Sequence, residues 1–292
     1  MLAYFCKYVP EELFQAFGTN ITCMEPHVTT FTQADALMHP NMCSFSKAVL
    51  EEFEKQDYEG MVFTSCCDSS RRLYDILCQQ FPDKFFSLVS LVFMLESLEL
   101  CVLIHCRLYA IYIKCVHTFS EQKLLEICRE CADEQKRIET GKKHDTKQKT
   151  ANDAQNFDAT AYQTTAPVDH TSISSGLADN PTADSPMNGL HIALVGARPG
   201  SEIRQLITDH QAEITLDLTC TGIQRSYDLN SEQILPAYAH ALLDQLPCMR
   251  MAAASNRQRI LEAYEDRIDG IIYHTVKFCD IYAYEYTKLH ET

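Results

Sequence analysis

Positive charge is scarce in this 292-residue chain: 25 lysines and arginines face 40 aspartates and glutamates, for a net charge of −15. Like charges repel, so that deficit excludes a nucleic-acid backbone or an anionic membrane as the main partner. Long hydrophobic runs are missing too. The most apolar stretch, residues 85–117, is interrupted by Glu96, Glu99, His105, Arg107 and Lys114. No charge-free run therefore reaches the roughly 18 residues of a membrane span. The start, MLAYFCKYVPEEL, lacks the basic-then-apolar layout of a secretory signal, and a cytoplasmic chain is expected. There is no internal repeat at fixed period and no G-x-G-x-x-G. GARPG at 196–200 is accordingly a glycine turn and not a dinucleotide fingerprint.

Cysteine, by contrast, is abundant, with 14 in the chain. Thiols stay reduced in a protein that is not exported, and a disulfide framework is not expected at this length. Two uses remain: cysteine as a small buried hydrophobe, and cysteine as metal, cluster or redox ligand. Cys128 and Cys131 form a C-x-x-C on the charged helix EICRECADE, but no second pair accompanies them, and they read as structural. Cys101, Cys106 and Cys115 fall in the apolar stretch and read as core.

Residues 140–188 change character. Rich in Thr, Ser, Asp, Asn, Gln and Lys, they carry almost no aliphatic periodicity and read as a polar linker or insertion. They separate an N-terminal lobe, 1–139, from a C-terminal lobe, 189–292. The first lobe shows the short helix EELFQAFG closed by Gly18, the amphipathic helix CSFSKAVLEEFEKQ, the buried strand GMVFTS and the helix DSSRRLYDILCQQF. The second runs from the strand–turn–helix LHIALVGARPGSEIRQLITDH through the strand AEITLDLT and the helix ILPAYAHALLDQL. It ends with a helix around NRQRILEAYEDR, the strand GIIYHTVKF and the helix DIYAYEYTKLHE. Such alternation implies an α/β protein: two doubly wound parallel-sheet, Rossmann-like lobes joined by the polar linker.

Three cysteines then share one topological place. Cys67 follows the strand GMVFTS and precedes Asp68, a good N-cap; Cys279 follows GIIYHTVKF and precedes Asp280; Cys43 opens the helix SFSKAVLEEF. The carboxyl ends of strands are the ligand-binding edge of an open α/β sheet. A helix N-terminus also favours thiolate, and an anionic iron–sulfur cluster needs both thiolates and nearby N–H donors. One such cysteine can simply pack well in a tight turn, whereas three argue for a cluster. Cys220, in LTCTGIQR, sits at a further strand end and is the reserve ligand.

The segments AYFCKYVPEELFQAFG, HPNMCSFSKAVL, MVFTSCCDSSRRLYD, HIALVGA, LDLTCTGIQRSYD, LPCMRM and, most specifically, DGIIYHTVKFCDIYAYEY carry a resemblance. Together they resemble the D-component type subunits of 2-hydroxyacyl-CoA dehydratases, related to benzoyl-CoA reductases and double-cubane cluster proteins. The resemblance implies one [4Fe-4S] cluster held by a cysteine from each of three motifs: Cys43, Cys279 and, in SCCD, Cys67 beside the aspartate, with Cys66 as the alternative. Three protein ligands would leave one iron open to water or substrate. The implied reaction is radical elimination of water from a 2-hydroxyacyl-CoA. One electron added to the thioester carbonyl gives a ketyl, which expels the hydroxyl and acidifies the β-carbon.

The implied partners are the acyl-CoA substrate, a second dehydratase subunit or a second copy of the same chain, and an ATP-hydrolysing iron–sulfur activator. His274, in YHTVKFCD, is the one weak candidate for a catalytic base. Asp68 and Asp280 read as helix caps, and Arg71 and Arg72 as a solvated helix face in preference to ligands of CoA phosphates. Two departures from the family pattern are visible. Residues 85–117 replace a strand end resembling LDLP, and the family continues past FCDIYAYEY with a further strand, so a sheet edge beside Cys279 is expected to be uncovered. A benzoyl-CoA reductase-like or double-cubane reductase, and a catalytically impaired paralogue, are the alternative readings.

Overall fold

The computed structural model describes residues 1–28, 30–65, 67–89, 119–142, 189–222, 225, 227, 234–243, 245 and 255–290. The expectations for Cys66, for Cys101, Cys106 and Cys115, and for the linker beyond Lys142 lie outside the described residues.

The expected α/β architecture with two parallel sheets is what forms. The first sheet contains β1 (Leu2–Tyr4), β2 (Ile21–Cys23), β3 (Gly60–Thr64) and β4 (Phe85–Val89), in the order β2-β1-β3-β4, every pair parallel. Between them run α1 (Glu11–Ala16), α2 (Thr32–Leu37), α3 (Ser44–Lys55) and α4 (Asp68–Gln80); α5 (Glu121–Lys142) follows. Helix α1 ends as expected before Gly18, whose φ of 78° suits a residue without Cβ. The central strands β1 and β3 are buried on both faces, so their side chains alternate between two cores. Leu2, Tyr4 and Val62 join Leu13 and Phe14 of α1 and Leu124 and Cys128 of α5. Ala3, Met61 and Phe63 point the other way, into Val49, Leu50 and Phe53 of α3 and Leu73 and Leu77 of α4.

The second sheet is β5 (Leu190–Gly196), β6 (Ala212–Thr219) and β7 (Gly270–His274), in the order β6-β5-β7, again all parallel. Its crossovers include α6 (Ser201–Asp209), α7 (Ile234–Leu243) and α8 (Ser255–Ala263), and α9 (Asp280–His290) follows β7. The buried Arg257 of α8 ties this lobe together. Its Nε donates to the Leu218 carbonyl at 3.0 Å, and its Nη1 meets Glu285 of α9 at 3.1 Å. Glu285 also accepts from the Tyr273 hydroxyl of β7 at 2.7 Å. β7 lies at the sheet edge, where Ile271 is 52% and Ile272 36% exposed.

One part of the second half crosses to the first. Ile234, Tyr238, Ala239 and Leu242 of α7 complete the core under α1 and α5. Arg225, on the approach to α7, reaches the same place: its Nη2 donates to the carbonyls of Lys7 (2.6 Å) and Val9 (3.0 Å), and its Nη1 pairs with Glu12. The Tyr227 and Tyr238 hydroxyls donate to Glu12 as well, Tyr238 at 2.8 Å, and Gln245 Nε2 donates to the Lys7 carbonyl at 3.1 Å. Burial would push the Glu12 carboxyl up. The guanidinium and the two hydroxyls outweigh it and hold the group below its usual range. Neighbouring Glu11 moves the other way, raised first by burial against the opposing hydrogen bond from Tyr4.

Arg225→Met strands the Glu12 charge in the interior and should lower the free energy of unfolding by about 3–5 kcal/mol, read by urea denaturation. The pH dependence has a definite sign. A carboxyl depressed in the fold contributes stability above its unfolded value of 4.5, lost as pH falls through the lower folded value. Glu11 opposes part of this slope. Glu12→Gln should therefore flatten the acid limb of a stability-versus-pH curve below about pH 4.5.

Candidate metal centre

In both sheets the chain winds outward on either side of one strand, β1 in the first and β5 in the second. Parallel sheets bind ligands beyond the carboxyl ends of their strands at such switch points. Here the two carboxyl edges face each other across a cavity of about 110 Å³. Every strand end nearby contributes a turn: Phe5 and Cys6 after β1, Cys67 after β3, Ala197 and Arg198 after β5, Cys220 and Thr221 after β6, Val276 and Cys279 after β7. Cys43 enters from the start of α3. The structure thus brings Cys43, Cys67, Cys279 and Cys220 to one wall. It adds Cys6, which the sequence pattern did not single out because β1 is only three residues long.

Local structure explains each placement. Cys43 and Cys67 occupy the N-cap positions of α3 and α4 and make no side-chain cap hydrogen bond. The expectation that Asp68 caps α4 is corrected accordingly: the cap position is Cys67, and Asp68 is the first helical residue, its charge placed in the first turn. The S-C-C-D turn is fixed from both sides. Ser65 donates its N–H to the Val89 carbonyl at 2.9 Å, and Arg71 Nε donates to the Ser65 carbonyl at 2.9 Å. Arg71 is thereby a brace, and Arg72 pairs with Asp75 at 3.0 Å on the surface.

β7 stops at His274, four residues earlier than the apolar pattern suggested, and the chain turns before Cys279. Phe278 takes a left-handed φ of 64°, and Cys279 N–H donates to the Val276 carbonyl at 2.9 Å. A left-handed non-glycine residue costs about 1–2 kcal/mol, so the surroundings must hold it there. They do so through Lys277, whose carbonyl accepts from the Ser44 N–H at 3.0 Å and the Ser44 hydroxyl at 3.3 Å, across 233 positions of sequence. The turn leading to Cys279 is thus bonded to the turn leaving Cys43.

Three residues of GARPG complete the frame. Gly196 (φ 106°) accepts from Cys220 N–H at 3.0 Å, and the next residue, Ala197, donates to the His274 carbonyl at 2.8 Å. A Cβ on Gly196 would lie 2.3 Å from that carbonyl oxygen. Arg198 reaches across to the first lobe, donating to the carbonyls of Phe5 (2.9 Å) and Met24 (3.0 Å) and lying 5.1 Å over the Phe45 ring. Among the described residues it is the one charged side chain on the cavity wall.

The chemistry of this donor set is soft. Thiolates suit zinc, cuprous copper and iron–sulfur clusters. The Cys279 thiol is raised well above the ordinary cysteine range, first by its hydrogen bond with Cys43, then by burial and by the charges of Cys43 and Cys220. Thiols packed this closely compete for protons, which a bound metal would displace. Among the described residues no three His, Cys, Asp or Glu donors are close enough to hold a single metal ion. The sulfurs are arranged around a wall.

The remaining expectations fall elsewhere. His274 is absent from the cavity wall, and its Nδ1 donates to the Ala197 carbonyl at 3.2 Å. Cys128 is buried among the aliphatic side chains of the first lobe, and burial pushes its thiol up to about 12, with Cys131 following to about 11. Among the described residues no helix is long and apolar enough to cross a membrane.

The family model for 2-hydroxyglutaryl-CoA dehydratase, D-component, matches residues 6–292. The chain belongs to this family. No curated protein matches it closely enough to count as a relative. As a member of the D-component family, the protein is a component of the 2-hydroxyacyl-CoA dehydratase type, and every cysteine of its cavity wall lies within the matched residues.

Gly196→Ala tests how the frame holds the dehydratase fold. The new Cβ meets the His274 carbonyl and the φ is unfavourable, so a loss of about 1–3 kcal/mol is expected by thermal or urea unfolding. Cys220 and Cys279 should become more reactive toward a thiol reagent in the native state.

Proposed function

We propose that the cavity is the seat of a [4Fe-4S] cluster held by Cys43, Cys67 and Cys279, in the iron–sulfur subunit of a 2-hydroxyacyl-CoA dehydratase. One observation carries the reading. Three cysteines from remote motifs converge on a single space between two sheet edges. The fit is chemical as well: soft donors, helix N-termini behind Cys43 and Cys67, apolar walls from Phe5, Phe45, Val276 and Ile281, and the cationic Arg198 facing an anionic group. When bound, the cluster supplies a low-potential electron to the thioester carbonyl of the acyl-CoA.

The chain's own residues do the rest. The Ser44–Lys277 bonds fix the separation of two ligands, and Arg71 and Val89 hold the third. The aromatic and aliphatic walls exclude water, which would otherwise quench a strongly reducing centre. Cys43, Cys67 and Cys279 would hold the group with three thiolates and would leave it one position for water or substrate, with Cys220 on the same wall as reserve. The partner subunit, or a second copy of this chain, together with an ATP-hydrolysing activator, belongs to the same proposal. Cys6 and Cys220 on the wall favour a second reading, a double-cubane reductase using additional ligands.

Anaerobic purification with iron and sulfide quantitation decides. About four irons per chain supports the proposal, about eight supports the double cubane, and none overturns both. Cys43→Ser, Cys67→Ser and Cys279→Ser should each lose the bound iron, while Cys128→Ser keeps it. Full iron retention in any of the first three removes that residue from the site.

A further inference from the structure

Among the described residues, four buried side-chain atoms have no hydrogen-bond partner: Ser70 Oγ, Ser87 Oγ, Arg225 Nε and Gln245 Oε1. Of these residues only Ser70 borders the cysteine-lined cavity. It is 1% exposed. Leaving a buried hydroxyl unpaired is costly, and a fold sustains it where a ligand completes the bond. Ser70 stands three residues beyond Cys67 in the first turn of the 13-residue helix α4. That spacing puts hydroxyl and thiol on one helix face, and both border the cavity. The positive end of the helix dipole lies behind them. The charged side chain on the wall, Arg198, donates to the carbonyls of Phe5 and Met24.

We infer that the Ser70 hydroxyl donates a hydrogen bond to a sulfur of the group bound beside Cys67, and so sets how readily that group accepts an electron. The inference rests on the cluster reading above. A hydroxyl can donate, and an anionic sulfur is an acceptor that gains charge when one electron is added. The bond is therefore stronger in the reduced state and raises the reduction potential, one of the levers by which a protein tunes such centres. Ser70 is a positioning and tuning residue, since no ligand bond passes through it.

The test compares anaerobically prepared wild-type protein with Ser70→Ala and with the isosteric pair Ser70→Thr and Ser70→Val. Iron and sulfide are quantified, and a one-electron reductive titration with dithionite is followed by electron paramagnetic resonance. The expected result is unchanged iron in all four proteins. The reduction equilibrium should be roughly tenfold less favourable in Ser70→Ala, equivalent to about 59 mV for one electron, with Ser70→Thr near wild type and Ser70→Val near alanine. If alanine does not fold, the threonine–valine difference carries the same reading, because those two side chains share a shape and differ by the hydroxyl. Equal midpoints for the folded hydroxyl-bearing and hydroxyl-free proteins overturn the inference while leaving the cluster intact. Absence of iron from the wild type overturns both the inference and the reading beneath it.

Discussion

Two parallel sheets meet carboxyl edge to carboxyl edge, and the peptide oxygens at that meeting must find donors away from water. Almost everything in the molecule follows from this constraint, because a buried carbonyl without a partner is costly. Arg225 answers for Lys7 and Val9, Arg198 for Phe5 and Met24, and the Ser44 amide for Lys277. Each donor comes from the opposite half of the chain. The bonds that satisfy the backbone are therefore also the bonds that hold the lobes at a fixed spacing. Removing any one of them affects burial, spacing and the shape of the cavity together.

The space left over is small and built from strand-end turns, which is why cysteines line it. A turn after a buried strand has room for a short side chain, and the helix that follows directs partial positive charge toward it. Thiolate is the short side chain that gains most from such a place. The left-handed Phe278 shows what the arrangement costs: a bulky residue accepts an unfavourable backbone so that Cys279 can approach Cys43. The same logic separates Cys128, whose sulfur lies among leucines and behaves as a hydrocarbon, from the sulfurs at the sheet edges.

Much of this was legible in the sequence, and the gaps have physical causes. The helices beginning at Ser44, Asp68, Ser201 and Asp280 and the strands at 60–64, 190–196 and 212–219 follow from hydrophobic periodicity. So did the family, and the three motif cysteines lie on the cavity wall. Strands β1 and β2 are too short to show alternation, and β4 opens an apolar stretch in which strand and helix look alike. Cys6, placed by β1, went unnoticed for that reason. Arg198 was hidden in a glycine turn whose local pattern says nothing about a carbonyl far away in the chain. The passage of α7 into the first core could not be read at all. Its apolar face fits either lobe, and only the buried Glu12 near the N-terminus gives Arg225 a destination.

The sequence distance bridged by Ser44 and Lys277 has a consequence for the newborn chain. A ribosome delivers residue 43 well before residue 279, so the pocket cannot exist until the later segment has been made. Cys43 must wait for Cys279 across more than 200 intervening residues. A group taken up in this pocket would therefore meet both halves already docked.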